Sequence, residues 1–184
     1  MIPARQLWCA VFGNDRPVEI EIGPGRGEML LGYGAASPTT NYLAIERSGP
    51  RAERLAARAE GHGLTNVRVL VGDARAIIGD FVPPNSVSAY HVYFPDPWPK
   101  RRHGFRRLFD DGRLAAALAR TLIPGGLVDV ATDVASLFAA MCRELTAAGL
   151  VRDADATPPR RRPTTSFERR YAGGAPHLAR FVRR

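Results

Sequence analysis

Apolar residues along the chain fall into short runs that alternate with longer segments of helical spacing. Five largely apolar runs of strand length cover residues 18–22, 41–46, 66–72, 86–94 and 127–132. Each is followed by a segment with helical composition or spacing, at residues 28–35, 50–63, 73–81, 106–123 and 134–149. This alternation predicts a doubly wound α/β fold with a mostly parallel sheet, whose ligands bind at the carboxyl ends of the strands.

The length and composition of the chain fit one domain. With 184 residues and 45% hydrophobic content, the chain is long enough for one buried core and too short for two ordinary ones. Pro, Gly and Arg dominate residues 155–176, which we expect to form a substrate loop, and residues 178–182 have the pattern of a closing strand. We therefore predict a single domain over residues 1–184, with residues 1–17 as a short N-terminal arm.

Charge and cysteine content indicate the class of partner and the environment. The formal net charge of +8 and the pI near 10.4 favour a polyanionic partner, with nucleic acid ahead of a membrane surface. No apolar run has the length to span a bilayer or the pattern of a signal peptide, so we expect a cytoplasmic protein. Cys9 and Cys142 lie far apart without the spacing of a metal site, so no metal is predicted.

A glycine-rich turn joins the first predicted strand to the first predicted helix. In the sequence EIGPGRG, the residues Gly23, Gly25 and Gly27 let the backbone approach a ligand that a Cβ would exclude. The spacing is GxGxG rather than the GxGxxG that seats a pyrophosphate, and Glu21 precedes the first glycine. Because a carboxylate there repels a phosphate and attracts a cation, the turn favours a cationic ligand such as S-adenosyl-L-methionine.

Acidic residues also follow the next two predicted strands. Glu46 ends the second strand, where dinucleotide folds place an acid on the ribose hydroxyls. Asp73 follows the third strand, from which a side chain could reach an adenine amino group. Each acid alone is also compatible with an exposed loop position or a helix cap. Together with Glu21 they place three acids at successive strand ends of a basic protein, which favours a ligand site.

The fourth predicted strand runs directly into the sequence PDPWPKRRHGFRR. Pro95 and Pro97 restrict the backbone on both sides of Asp96 and so hold this acid near the switch point of the predicted sheet. Trp98 offers a flat face on which a base could stack, although a core or edge aromatic is equally compatible. Basic residues suited to phosphate contacts follow: Lys100, Arg101, Arg102, His103, Arg106 and Arg107. A solvated helix start is the alternative for this run.

Together these motifs resemble the bacterial tRNA (guanine-N7-)-methyltransferase family. The segments EIGPGRGEML, YLAIE, NVRVLVGDA, FPDPWPKRRHGFRRL, ATD and TSFE occur in the family's order over residues 18–171, and FPDPWPK…RH…RRL is close to diagnostic. The resemblance implies a Rossmann-like class I methyltransferase fold with an antiparallel C-terminal edge. It also implies S-adenosyl-L-methionine as cofactor, tRNA as partner, and methyl transfer to N7 of a guanine, expected in the variable loop.

The resemblance assigns roles to individual residues. Its cofactor contacts fall on Glu21, Gly23, Gly25, Gly27, Glu46, Asp73 and Asp96. Its substrate contacts fall on Lys100, Asp133, Thr165, Ser166, Phe167 and Glu168, and the basic run with Trp98 would form the nucleic-acid surface. Asp96 is also the expected catalytic residue, where it would orient the guanine by accepting from its N1 and N2 donors. An N-cap on a helix beginning at Val134 is an equally compatible interpretation of Asp133.

Other functions share parts of this pattern. A nicotinamide-dependent oxidoreductase has the same strand, glycine and helix opening, but Glu21 and the glycine spacing disfavour it. A class I methyltransferase acting on another nucleic acid or on a protein would also hold a planar amine with a Pro-rich acidic motif. A non-catalytic RNA-binding domain would keep the fold without binding the cofactor. We expect a monomer or a weak homodimer, without membrane association.

Overall fold

The computed structural model describes residues 3–97, 108–154 and 176–184. Its strands are β1 (Val18–Ile22), β2 (Asn41–Glu46), β3 (Val67–Val71), β4 (Val87–Tyr93), β5 (Leu122–Thr132), β6 (Val151–Asp153) and β7 (His177–Val182). Its helices are α1 (Ala4–Phe12), α2 (Glu28–Ala36), α3 (Gly49–Gly61), α4 (Ala74–Ala76), α5 (Arg113–Thr121) and α6 (Ala135–Ala147). A π-helical turn, Ile77–Phe81, continues α4.

The strands form one sheet with the order β3-β2-β1-β4-β5-β7-β6. Strands β1 to β5 pair in parallel, whereas β7 pairs antiparallel with both β5 and β6. The chain builds outward from β1 to β3 and then crosses over to β4, which lies on the other side of β1. This arrangement confirms the predicted doubly wound sheet with its antiparallel C-terminal edge, and it places the switch point between β1 and β4.

The two faces of the sheet carry different side chains because successive residues of a strand point to opposite sides. In β1, Ile20 and Ile22 enter the larger apolar core, which the helices α1, α5 and α6 cover together with residues 74–82. Glu19 and Glu21 alternate with them and therefore lie on the other face, where α2 and α3 pack. The acidic residues of β1 thus lie on the side of the sheet that has the smaller buried apolar cluster.

Some elements differ from the predicted ones. Residues 4–12, predicted as part of an arm, form helix α1, because Trp8 and Phe12 are buried in the larger core. The Trp8 indole N–H also donates to the Ser86 carbonyl oxygen at 2.9 Å. The short strand β6 was not predicted, because its exposed residues carry no alternating apolar pattern and pairing with β7 alone defines it.

The predicted helix over residues 106–123 is too long in its described part, residues 108–123, of which only Arg113–Thr121 is helical. Helix α5 begins only at Arg113, after Gly112 in a left-handed conformation, and ends at Thr121. Leu122 already pairs with Val87, so β5 starts five residues earlier than the predicted strand and passes a bulge before Leu127. Tertiary pairing with β4 therefore overrides the helical spacing of the last residues. No helix within the described ranges is long and apolar enough to cross a membrane.

Candidate active site

The structure brings four of the predicted acids together at the carboxyl ends of the parallel strands. Glu21 is the penultimate residue of β1 and Glu46 the last residue of β2, while Asp73 and Asp96 follow β3 and β4 within three residues. Since these parallel strands are neighbours in the sheet, their carboxyl ends lie side by side. The predicted positions of the acids are confirmed, whereas their roles stay predictions.

Glu21 is buried with one oxygen lacking a partner. Its side chain is only 5% exposed, and it accepts a hydrogen bond from the backbone N–H of Leu30 in the first turn of α2. The other oxygen, Oε2, is buried and meets no hydrogen-bond donor in the described part of the chain. Burial raises the pKa of Glu21 to about 7, against the opposing influence of the His91 charge and of the Leu30 hydrogen bond. A buried acceptor without a donor indicates a position where a polar ligand is expected.

The glycine turn beside Glu21 places the start of α2 close to the sheet. Gly23, Gly25 and Gly27 all have positive φ, and the Gly23 N–H donates to the Ile45 carbonyl oxygen at 2.9 Å. At Gly27, with φ of +71°, a Cβ would overlap the side chain of Leu55 on α3. The turn therefore requires glycine at this position for both backbone and packing reasons.

Glu46 closes the second strand in a buried position. Its side chain is 6% exposed, and its Oε1 accepts from the Ser48 N–H at 2.8 Å. Its carbonyl oxygen accepts from the Gly72 N–H at 3.0 Å, which ties the ends of β2 and β3 together. The Glu46 carboxylate is thus held in one orientation at the carboxyl end of β2, where a ligand would lie.

Asp73 caps helix α4 and binds the side chain of Arg75. Its Oδ1 accepts from the backbone N–H and Nε of Arg75 at 2.9 and 3.1 Å, and its Oδ2 pairs with Nη2 at 2.8 Å. The Arg75 side-chain hydrogen bond lowers the pKa of Asp73, against the desolvation of this half-buried carboxyl group. The helix-cap interpretation of Asp73 is therefore correct. A carboxylate has about four acceptor sites, so these contacts leave capacity for a further donor.

Asp96 and Asp133 are both exposed, and they lie beyond the carboxyl ends of β4 and β5. Asp96 lies between Pro95 and Pro97, shortly after Phe94, whose φ of +50° turns the chain out of β4. Asp133 directly follows β5, but α6 begins at Ala135 with Val134 as its N-cap residue. The N-cap interpretation of Asp133 is therefore wrong, because the helix starts one residue later than predicted. Thr132 supports this turn instead, since its hydroxyl oxygen accepts from the Val134 N–H at 3.2 Å.

The remaining predicted site residues lie outside the described ranges. They are Trp98, Lys100, Arg101, Arg102, His103, Arg106, Arg107, Thr165, Ser166, Phe167 and Glu168. The predicted substrate loop over 155–176 also lies outside them, except for its last residue. The proposed nucleic-acid surface therefore stays a prediction from the sequence.

The sequence interpretation missed a buried polar cluster next to Glu21. His91 on β4 contacts Glu19 through Nε2 at 2.9 Å and the Tyr93 hydroxyl through Nδ1 at 3.0 Å. On the next strand, Asp129 forms a two-pronged ion pair with Arg180 of β7, at 2.7 and 2.8 Å. The signal was present, since polar residues alternate with apolar ones in VEIEI and HVY and an aspartate interrupts LVDVAT.

Comparisons with known proteins identify what this arrangement is similar to. Residues 15–175 match a family model whose description reads "Putative methyltransferase". The tRNA (guanine-N(7)-)-methyltransferase of Streptomyces coelicolor is 42% identical over 163 residues, covering 86% of this chain and 60% of that protein. The protein of the same name from Vibrio cholerae serotype O1 is 36% identical, covering 89% of this chain and 70% of that protein. The chain spans 42% of the Streptomyces avermitilis relative, to which it is 46% identical over 67% of its own length.

Solved structures support the fold at lower sequence identity. The 16S rRNA methyltransferase KamB superposes with a TM-score of 0.67 at 19% identity, covering 95% of this chain and 90% of that one. An aminoglycoside resistance methyltransferase gives a TM-score of 0.63 at 18% identity, covering 100% of this chain and 95% of that one. At this identity the likeness concerns the fold alone, which is that of class I methyltransferases.

Proposed function

The chain belongs to the tRNA (guanine-N7-)-methyltransferase family, and from this membership we propose that it methylates N7 of a guanine in tRNA. The methyl donor is S-adenosyl-L-methionine. The observation that carries the proposal is identity of 36–42% to relatives of that name over nearly nine tenths of the chain. The chain spans between 42% and 70% of the length of these relatives. The activity of the whole relatives is therefore a proposal for this chain. We also propose the variable loop as the position and, given a tRNA substrate, the cytoplasm as the location.

The residues at the strand ends suit this cofactor. The unpartnered Oε2 of Glu21 can receive the ammonium group of the methionine moiety, because it lies buried beside the glycine turn. Glu46 can accept from the ribose hydroxyls and Asp73 from the adenine amino group, since each carboxylate follows the next strand outward from β1. A nicotinamide dinucleotide fits this site less well, because the Glu21 carboxylate would repel its phosphate groups.

The reaction places simple demands on the protein. In the transfer, the carbon–sulfur bond of the cofactor breaks as guanine N7 forms a bond to the methyl carbon, and sulfur keeps the electron pair. N7 carries an in-plane lone pair and no proton, so no residue has to act as a general base. What the chain must supply is alignment of the base and stabilisation of the positive charge that moves onto it.

Asp96 is the residue we assign to that task. It is exposed at the carboxyl end of β4, next to the switch point, and the prolines on both sides restrict its backbone. A carboxylate there can accept hydrogen bonds from N1 and N2 of the guanine and stabilise the cationic product. Asp133, at the end of the neighbouring strand β5, is a second acceptor on the same edge.

The test is methyl transfer from labelled S-adenosyl-L-methionine to unmodified tRNA, followed by borohydride and aniline treatment to locate N7-methylguanine. Cleavage at one variable-loop guanine is the expected outcome. Label in tRNA without such cleavage would contradict N7 as the acceptor. Cofactor binding without transfer to any tRNA would contradict the proposed substrate, and failure to bind the cofactor would leave a non-catalytic RNA-binding domain as the better explanation.

A further inference from the structure

His91 is held at both ring nitrogens in a closed environment. It is buried, with Glu19 of the adjacent strand on Nε2 and the Tyr93 hydroxyl on Nδ1. The ring of Tyr33 from α2 covers it at a centroid distance of 5.2 Å, and the hydroxyl groups of Tyr33 and Tyr93 share a hydrogen bond. When both nitrogens are protonated, each N–H has an oxygen acceptor. The pocket therefore suits an imidazolium.

His91 is also the direct neighbour of Glu21 across the sheet. In the β1–β4 pairing, Glu21 is in register with His91, so both side chains lie on the same face. Neighbouring strands lie about 4.8 Å apart. The second oxygen of Glu21 has no donor among the described residues. A positive charge on His91 therefore lies close to a buried carboxyl group whose second oxygen has no other compensation among the described residues.

When Glu21 is ionised, the charges around His91 do not balance without a further cation. Three carboxylates face the cluster, namely Glu19 and Glu21 from β1 and Asp129 from β5, whose Oδ2 lies 3.9 Å from His91 Nδ1. Arg180 of β7 compensates one of them through its ion pair with Asp129. A neutral His91 would leave two uncompensated carboxylates, the buried Glu21 and the partly exposed Glu19, whereas an imidazolium leaves one. Burying unbalanced charge costs free energy, so the cluster favours the imidazolium of His91. One carboxylate then remains to be compensated by a further cation.

The surrounding elements add little to this balance. Tyr33 and Tyr93 are neutral at physiological pH, because burial raises the pKa of Tyr33 to about 12 and holds that of Tyr93 well above its usual value. Beyond Arg180, Asp153 of β6 interacts with the guanidinium at the partly exposed edge of the sheet, where solvent screens its charge. The unbalanced charge therefore resides on the carboxylates that flank His91.

We propose that His91 is a positioning residue for the cofactor site. Its imidazolium, held by Glu19, supplies the positive charge that allows Glu21 to ionise and receive the ammonium group of S-adenosyl-L-methionine. This inference rests on the proposed function, because it takes the cofactor of that function as the cation. On binding, the proton of Glu21 leaves to solvent and its carboxylate pairs with the ammonium group, which compensates the negative charge that ionisation creates.

The titration of the two residues is consistent with this geometry. Burial lowers the pKa of His91, but the hydrogen bond and charge of Glu19, with the charges of Asp129 and Glu21, raise it above its usual value overall. Burial raises the pKa of Glu21 to about 7. The raised pKa of His91 favours its imidazolium, and ligand-free Glu21 is partly protonated near pH 7, so ionisation of Glu21 on cofactor binding would release part of a proton.

Calorimetric titration with S-adenosyl-L-homocysteine tests the proton release directly. This product carries the same ammonium group and no sulfonium, and titration at pH 7.0 in buffers of different ionisation enthalpy counts the protons released. We expect about half a proton per ligand for the wild type, because a group with a pKa near 7 is half protonated there. In His91→Gln, Glu21 loses its compensating charge. A rise of about one unit in the pKa of Glu21 would raise the proton release towards one, and affinity should fall about fivefold, because the ionised fraction at pH 7 falls from about a half to about a tenth.

Matched variants separate this role from a structural one. Glu19→Gln, which removes the partner of His91, should change proton release and affinity in the same direction as His91→Gln. Glu21→Gln should abolish the proton release, and His62→Gln, at an exposed site on the end of α3, should change neither quantity. Nitrogen-15 NMR of the wild-type protein should find His91 as an imidazolium at pH 7, which requires no variant to fold.

The outcomes are distinguishable from failure of the proposed function. Absence of binding by the wild type would overturn the cofactor assignment and this inference with it. Binding with equal affinity and equal proton release in wild type and His91→Gln would overturn this inference alone, as would a neutral His91 ring in the NMR experiment. An equal loss in His62→Gln would assign the effect to general destabilisation and would also overturn it.

Discussion

The backbone N–H of Phe94 donates to the carbonyl oxygen of Ala131 at 2.7 Å, while Phe94 itself adopts a φ of +50°. A left-handed conformation is unusual for a residue other than glycine and costs about 1–3 kcal/mol. It occurs here where the chain leaves β4 and turns into Pro95 and Asp96. This hydrogen bond to β5 therefore holds a strained turn that positions Asp96, the proposed catalytic acid.

Substitution of Phe94 tests this turn. Phe94→Val should lower the free energy of unfolding by about 1 kcal/mol more than Phe94→Leu, because β-branched residues tolerate a positive φ least. Urea denaturation of both variants measures the difference. Both replacements remove an aromatic ring from the same partly buried position, so Phe94→Leu is the control for lost packing. Equal stability of the two variants would contradict a strained turn.

Gly27 should be intolerant of any side chain. In Gly27→Ala, the new Cβ would overlap Leu55 in a backbone conformation with φ of +71°. We expect a loss of about 1–3 kcal/mol in unfolding free energy, together with weaker cofactor binding, because the start of α2 must shift. The control is Gly61→Ala at the end of α3, where nothing lies within 4 Å and φ is not positive. That variant should be neutral or slightly stabilised.

The buried carboxyl group of Glu21 should make the ligand-free protein less stable as the pH rises. Burial raises its pKa from 4.5 to about 7 in the folded state, so between these values the folded protein binds more protons than the unfolded chain. Stability contributed by the protonated form is fully present below pH 4.5 and is lost as the pH rises through 7. The shift corresponds to about 3 kcal/mol.

Glu21→Gln isolates this contribution. The variant cannot ionise at position 21, so its stability relative to wild type should increase by about 1.4 kcal/mol per pH unit between roughly pH 5 and 7. Chemical denaturation at a series of pH values measures the difference. The same variant should bind cofactor more weakly. A stability difference that is independent of pH would show that Glu21 is not desolvated in the folded protein.

The ion pair between Asp129 and Arg180 should fasten the antiparallel edge to the parallel sheet. Asp129 is 2% exposed, so Arg180→Met would leave its carboxylate buried without its partner and should cost about 3–5 kcal/mol in unfolding free energy. The double variant Asp129→Leu with Arg180→Met removes both charges and should recover most of that loss. Thermal or urea unfolding of the three proteins measures it. A double variant as unstable as Arg180→Met would contradict the charge argument.

Asp96 should contribute to turnover more than to folding. Asp96→Asn keeps the size of the side chain but removes the charge that the product requires, so we expect methyl transfer to fall about a hundredfold. Asp80→Asn, at an exposed acid on the π-helical turn, is the matched control and should leave transfer unchanged. Single-turnover transfer and cofactor affinity should be measured for both. Wild-type turnover by Asp96→Asn with unchanged cofactor affinity would contradict the proposed role.

Local sequence determined most of the fold and the outline of the candidate site. Strands β1 and β2 have the predicted boundaries because short, largely apolar runs that end at glycine or a charged residue indicate a buried strand. The order of strand, glycine turn and helix placed Glu21, Glu46 and Asp73 at strand ends, since in a parallel sheet the chain itself fixes which end each residue occupies.

Only the tertiary structure decided the elements and contacts that depend on distant partners. Helix α1 forms because Trp8 finds a core built mostly by later parts of the chain, and β5 begins at Leu122 because Val87 pairs with it. The same holds for the polar cluster. No local pattern around His91 predicts that Glu19, 72 positions earlier, will lie 2.9 Å away, or that Oε2 of Glu21 will lack a hydrogen-bond donor among the described residues. Burial and charge compensation are properties of assembled neighbours, so the chemistry of these side chains is set only when the strands pair.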